Sequence, residues 1–253
     1  MEEIERLCGI IDRYEINSVK VTGGEPLLHP HVIEIVKRFA SIPTLKDISL
    51  VTNGILLGKR ASELKEAGLK WVNIGLDSLC NPSVKYLDKI EDSIKIVETV
   101  GFDVVKLNMV LLKGINDREI NDMMKFAREH GFILQLIELI ETNKEFFQKY
   151  HVDLAEIERK IAQQADNIVV RKYQDRKQYY LKDGTVVEIV RPVHNPQFCM
   201  NCHTLRVTSD FQFQPCLNRS DNLIPIGKDI EAVVAEIIER RIPYNVSEQC
   251  VNG

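Results

Sequence analysis

Between Ser18 and Leu139 short β-rich runs take turns with longer amphipathic stretches, and that order leaves few ways to fold. Ser18–Val21, Asp47–Val51, Lys70–Leu76, Val104–Leu112 and Ile133–Leu139 read as strands. Ile4–Tyr14, His31–Ala40, Arg60–Ala67, Val84–Val100 and Asp117–His130 read as helices. Strands separated by a helix-length crossover run parallel, because a tight turn reverses direction and only a long connection returns the chain to the same end of a sheet. The expectation is an α/β fold: a parallel sheet covered by helices, with ligands gathered at the C-terminal strand ends.

Those ends carry turn chemistry: Thr22-Gly23-Gly24-Glu25-Pro26, Thr52-Asn53-Gly54 and Asp77-Ser78. Each alone is an ordinary turn; together they read as one rim. After Glu141 the pattern changes. Asp153–Gln164 reads as a helix, and Asn167–Arg171 and Gln178–Val190 as strands, the second folding back at Asp183-Gly184. This suggests a small antiparallel appendage, with a turn-rich loop over Pro192–Leu217 and a last helix over Asp229–Arg240. The expected division is 1–141 and 142–253.

At 44% apolar and 28% charged residues the chain has ample core formers. A net charge of −4 argues against a nucleic-acid polymer as partner, since polyanion binding needs a dense cationic face. The longest apolar stretches are short and interrupted by polar residues, as Val104–Leu112 is by Lys106 and Asn108, so no membrane span is expected. The N-terminus is acidic and lacks the form of a signal peptide, which points to the cytoplasm. In that compartment the six cysteines are better read as thiols or ligands than as disulfides.

Cys199 and Cys202 form a C-x2-C pair, and Cys216 follows after thirteen residues. A C-x2-C turn brings both sulfurs to one side of a tight loop, where their thiolates converge on one soft metal or cluster. A redox pair is the other use of such spacing. Structural zinc needs a fourth ligand, with His194 or His203 nearest in sequence, whereas a 4Fe-4S cluster on three thiolates keeps one iron open to an exogenous ligand. Cys8, Cys80 and Cys250 are isolated and read as ordinary thiols.

With VTGGEPLLHP (21–30), VTNGILL (51–57), AGLKWVNIGLDSL (67–79), VKLNMVLLKGIND (105–117) and FCMNCHTLRVTSDFQFQPCL (198–217), the sequence resembles the GTP 3′,8-cyclases. These are radical S-adenosylmethionine (SAM) enzymes that open molybdenum cofactor biosynthesis. The resemblance implies a partial, TIM-like β/α barrel with a C-terminal cluster region, and conversion of GTP to a 3′,8-cyclised dihydro-GTP. It assigns Cys199, Cys202 and Cys216 to a substrate-side 4Fe-4S cluster, and Gly24, Gly75 and Ile140 to SAM. It assigns Lys20, Val51, Lys106, Thr204, Leu205 and Arg206 to GTP. Lys20 and Thr204 stand where the family has Arg, and Gly75 and Ile140 where it has Ser and Met. Read from their strands alone, Lys20 and Lys106 could equally face solvent, since each alternates with apolar neighbours.

The family's C-x3-C-x2-C triplet, which holds the SAM cluster, occurs nowhere in this sequence. The expectation is that it belongs upstream of Met1 with the first barrel strand, that a second cluster is present only with that segment, and that 1–253 alone is inactive. The next molybdopterin enzyme is the expected acceptor of product, and a homodimer is open to the chain. Two further readings stand beside the enzyme: a shortened, non-catalytic homologue binding a cluster and a purine nucleotide, and a zinc-stabilised structural domain.

Overall fold

The computed structural model describes residues 1–240 except 86, 194, 220–222, 228 and 229. The expectations at His194, Asp229 and Cys250 lie outside the described residues. Two compact units are formed, Met1–Val169 with Lys177–Val190, and Val170–Arg176 with Arg191–Gly253 as far as described.

The first unit opens with helix α1 (Glu2–Arg13) and strand β1 (Ser18–Val21), then α2 (Val32–Ala40), β2 (Asp47–Thr52), α3 (Leu57–Glu66) and β3 (Trp71–Gly75). There follow α4 (Glu91–Val100), β4 (Val104–Leu111), α5 (Ile120–Glu129) and β5 (Ile133–Glu138). Strands β1 to β5 are parallel neighbours in sequence order, as the alternation requires. One sheet face is apolar and carries Ile48, Leu50, Val72, Ile74, Leu107, Met109, Leu134 and Leu136, each at most 2% exposed. Val36 and Phe39 of α2, Leu57, Ala61 and Leu64 of α3, Ile94 of α4 and Met123 of α5 join the same core. This is the layered packing of a partial β/α barrel, in which helices cover one side of the sheet.

Two elements differ from expectation. The helix expected from Val84 starts at Glu91, because the Lys85 carbonyl accepts from the N–H groups of Asp77 (2.7 Å) and Ser78 (2.9 Å) and is not available to a helical ladder. A short helix α6 (Lys144–Tyr150) was not expected; seven residues are too few to show a period, though Asn143 caps it by accepting from Phe146 N.

After α7 (Ala155–Gln164) come β6 (Ala165–Val170), β7 (Lys177–Leu181) and β8 (Val186–Val190). The hairpin β7–β8 turns at Asp183-Gly184 as expected, yet it does not belong to a separate appendage. Strand β8 lies parallel to β5, and the eight-stranded order is β1-β2-β3-β4-β5-β8-β7-β6. The run VVEIV is apolar enough to be buried on both sides, which suits an interior strand rather than an edge. The small antiparallel sheet of the C-terminal region is instead built by β9 (Arg206–Val207), β10 (Gln212–Gln214) and β11 (Ile224–Pro225), between a short helix α8 (Pro196–Met200) and the last helix α9 (Ile230–Arg240). Among the described residues no helix is long and apolar enough to cross a membrane.

Gly68 ends α3 at φ +100, and a Cβ there would stand 2.6 Å from the Ala40 Cβ. Gly68→Ala is expected to cost about 1–3 kcal/mol of stability from the left-handed backbone and the clash together. Ala40→Gly should restore only part of it, as urea titration of the two variants and their combination will show.

Candidate functional site

The other face of the sheet is polar, and parallel register decides which residues share it. Lys20 lies opposite Ser49, and Ser49 opposite Trp71. One step along, Val51, Asn73 and Lys106 stand in a row; one further, Gly75, Asn108, Gln135 and Glu188 do so. Lys20, Val51, Lys106 and Gly75 therefore lie on one face, in three successive rows. Lys20 is exposed on β1, at one end of the sheet.

Lys106 does not face solvent. It is 3% exposed, and its Nζ donates to Glu188 Oε2 at 2.6 Å. Gln178 Nε2 donates to the same oxygen at 2.7 Å and Gln135 Nε2 to Oε1 at 2.5 Å, so the fully buried carboxylate is satisfied on both sides. The Lys106 ammonium also stands 6.0 Å from the Trp71 ring centre. On the same face Asn73 Nδ2 and Asn108 Oδ1 are buried without a hydrogen-bond partner among the described residues. A donor and an acceptor left open in this way normally meet water or a ligand.

The strand ends are tied to one another. Glu25 Oε1 accepts from Thr52 Oγ1 (2.7 Å) and Leu27 N (3.1 Å), while Oε2 accepts from Asn53 N (2.8 Å), joining the loops after β1 and β2. Asn116 donates to the carbonyls of Asp77 (2.7 Å) and Val110 (2.8 Å) and accepts from Leu112 N (2.7 Å), joining the ends of β3 and β4. A Cβ built on Gly24 would meet nothing within 4 Å, so the loop backbone there is open to an incoming molecule. At Gly75 a Cβ would meet Lys85 Cδ and Nζ at 3.2 Å; the Lys85 chain fills the space a larger residue would take. Lys85 pairs with Asp77 at 3.5 Å. Burial pushes the Asp77 carboxyl above the usual aspartate range, and the Lys85 charge pulls it part of the way back. Ile140 lies two residues past the end of β5, half-buried.

The cysteine loop belongs to the second unit. Asn195 caps α8 by accepting from Phe198 N, and Cys202 N donates to the Cys199 carbonyl at 3.1 Å, closing the C-x2-C turn. Strands β9 and β10 pair antiparallel with Gln214 opposite Arg206. Cys216 lies two residues beyond Gln214, and its carbonyl accepts from Arg219 N. All three cysteines are half-buried and unbridged by disulfides. The Thr204 hydroxyl is bonded to the Tyr173 hydroxyl at 2.9 Å, Leu205 and Arg206 are half-buried, and His203 is exposed. Among the described residues no three His, Cys, Asp or Glu side chains close on one point as ligands of a single ion. The donor chemistry of the loop, three half-buried thiols with the one carboxylate, Asp210, exposed and bonded to Gln212, suits a thiophilic centre.

Sequence reading did not single out Glu188, Gln135, Gln178, Asn73 or Asn108. Glu188 and Asn73 leave a sign, one polar residue in an otherwise apolar strand, as in VVEIV and WVNIG; Gln135, Gln178 and Asn108 share their strands with a second polar residue and stand out less.

Comparison with known proteins bears on both regions. The model of the radical SAM superfamily matches residues 1–127, and that described as Molybdenum Cofactor Synthesis C matches 132–248. A protein from Methanocella arvoryzae named probable GTP 3′,8-cyclase is 40% identical over 98% of this chain and 82% of its own length. Relatives of the same name from Methanothermobacter thermautotrophicus (41%, covering 96% and 85%) and Pyrococcus horikoshii (43%, covering 89% and 76%) are similar. Among solved structures, Streptococcus suis SuiB shares the fold over 62% of this chain and 38% of its own, with a TM-score of 0.50 at 19% identity.

Glu188→Leu, which takes the carboxylate from the buried Lys106 ammonium, is expected to lower stability by about 3–5 kcal/mol, and Lys106→Met with Glu188→Leu to recover most of it. Urea denaturation of the single and double variants measures this; additive losses would show that the two groups do not act as a pair. For Asp77 the raised folded-state pKa means that its contribution is complete below the ordinary aspartate value of about 3.9 and is lost as pH rises through the folded value. Asp77→Asn should flatten that part of the stability–pH curve.

Proposed function

We propose that this chain, which belongs to the GTP 3′,8-cyclase family of radical SAM proteins, takes part in converting GTP to its 3′,8-cyclised dihydro form in molybdopterin biosynthesis. When bound, 4Fe-4S clusters and SAM would supply the family's radical chemistry, by which the ribose of GTP is closed onto its base. The residues of this chain bind and orient. Cys199, Cys202 and Cys216 would hold the substrate-side cluster, leaving one iron for the nucleotide. The backbone at Gly24, with Gly75 and Ile140, would border SAM.

Lys20, Lys106 and Arg206 would supply the cations for a triphosphate, with Val51, Thr204 and Leu205 lining the nucleotide. Lys20 keeps the charge of the family's Arg but not its two-pronged geometry. Lys106 would meet the substrate with its charge already balanced by Glu188, so it orients an oxygen more than it attracts one. Support for this reading comes above all from the polar sheet face, where Lys20, Val51, Lys106 and Gly75 share successive rows with two buried amides whose hydrogen-bonding groups are open. The same reading makes the next enzyme of the pathway the acceptor of the product, the cytoplasm the place of action, and a homodimer the assembly to look for by light scattering.

Anaerobic reconstitution tests the ligand set: Cys216→Ala should lose iron and sulfide relative to the parent chain, and unchanged metal content would sink the assignment. Lys20→Ala, at an exposed position, should weaken GTP binding by about 1–3 kcal/mol with no loss of thermal stability. Calorimetry on reconstituted protein checks it, and equal affinity would remove Lys20 from the site.

A further inference from the structure

We infer that Gln174 is a positioning residue for Cys202, holding an amide N–H against its sulfur and so setting the potential of the centre that sulfur serves; this rests on the cluster reading above. Gln174 is 5% exposed, and its Nε2 donates to Cys202 Sγ at 3.4 Å. The orientation of an amide is usually ambiguous, but here a neighbour decides it. Arg176 donates to Gln174 Oε1, and a guanidinium has no acceptor, so the oxygen must face Arg176 and the NH2 must face the sulfur. The guanidinium is held in turn over the rings of Tyr173 (4.8 Å) and Phe198 (5.6 Å).

The backbone is shaped to the same end. Gln174 and Asp175 both adopt the left-handed region, at φ +57 and +52, although neither is glycine. Gln174 N donates to the Asn201 carbonyl at 2.8 Å, which fastens this turn to the residue before Cys202. Arg176 N donates to the Tyr173 carbonyl, and the tight turn so closed between β6 and β7 calls for positive φ at both central residues; that they are Gln and Asp rather than glycine gives the turn a side chain to place against the cysteine loop. The acceptor adds a chemical argument. A neutral thiol is a weak partner for a buried amide N–H, whereas a thiolate is a strong one. The pairing therefore suits Cys202 in its metal-bound form. A donor on a ligand sulfur stabilises the more electron-rich state of a cluster and raises its potential.

The test is a redox titration followed by electron paramagnetic resonance, with resonance Raman of the iron–sulfur stretches, on the anaerobically reconstituted full chain. The parent is compared with Gln174→Leu, Gln174→Glu and Arg176→Leu, and Cys216→Ala identifies the signal of this centre. With iron content unchanged, Gln174→Leu should lower the reduced-to-oxidised ratio at the parent midpoint about fivefold, the worth of roughly one net hydrogen bond. Gln174→Glu should move it further in the same direction, Arg176→Leu less far. An unchanged potential and unchanged stretches in both Gln174 variants would overturn the role of Gln174 while leaving the cluster reading intact. Loss of iron from both would make the residue merely structural and overturn it equally. A parent chain without a Cys216-dependent signal overturns the cluster reading itself.

Discussion

The ion pair between Lys106 and Glu188 is the constraint around which the polar face of the sheet is arranged. Neither charge is solvated, so each requires the other, and the amides of Gln135 and Gln178 complete the carboxylate. Because the partners sit on β4 and β8 with β5 between them, the pair forms only if β8 enters the sheet beside β5 in its observed register. A slip of one residue would turn Glu188 into the apolar core, where Val187 and Ile189 belong. The pair therefore specifies where a strand from the later part of the chain must go, and that strand carries the polar face past β5.

The two faces divide the labour of the first unit. The apolar face gathers the helices and supplies the stability, while the polar face tolerates groups that a minimal fold would avoid, including a donor on Asn73 and an acceptor on Asn108 without partners among the described residues. Beyond the ladder bonds, the strand ends are held by side chains. Glu25 clasps the loops after β1 and β2, and Asn116 clasps those after β3 and β4. The GGEP and GIND segments thus act as frames for the backbone at the strand ends.

The parallel core was legible because period and order are local: β1 to β5 and the helices over them fall within a few residues of where apolar spacing put them. The start of α4 was not, because it depends on which N–H groups the Lys85 carbonyl serves, a tertiary fact with no trace in periodicity. The place of β8 was hidden for a related reason. A hairpin signal at Asp183-Gly184 shows that two strands are adjacent and says nothing of the sheet they join. In the candidate site, cysteine spacing and the basic residues stood out by type, whereas Glu188, Gln135 and Gln174 are common residues whose meaning comes only from their partners. Lys106 shows the limit well: its strand pattern allowed a solvent-facing lysine, and burial against an acid far along the chain decided otherwise.

The insertion of β8 next to β5 also bears on how the molecule is made. As synthesis proceeds from the N-terminus, β1 to β5 can assemble through local crossovers, but β5 then waits with an open hydrogen-bonding edge while α6, α7, β6 and β7 emerge. Non-local pairing of this kind is slow, and an unpaired strand edge is the feature by which nascent chains stick to one another. The buried acid on the late strand makes premature or misregistered docking costly, since only one alignment lets it meet its lysine. The long interval before β8 arrives is therefore a stage of biogenesis at which β5 offers an unpaired edge to other chains.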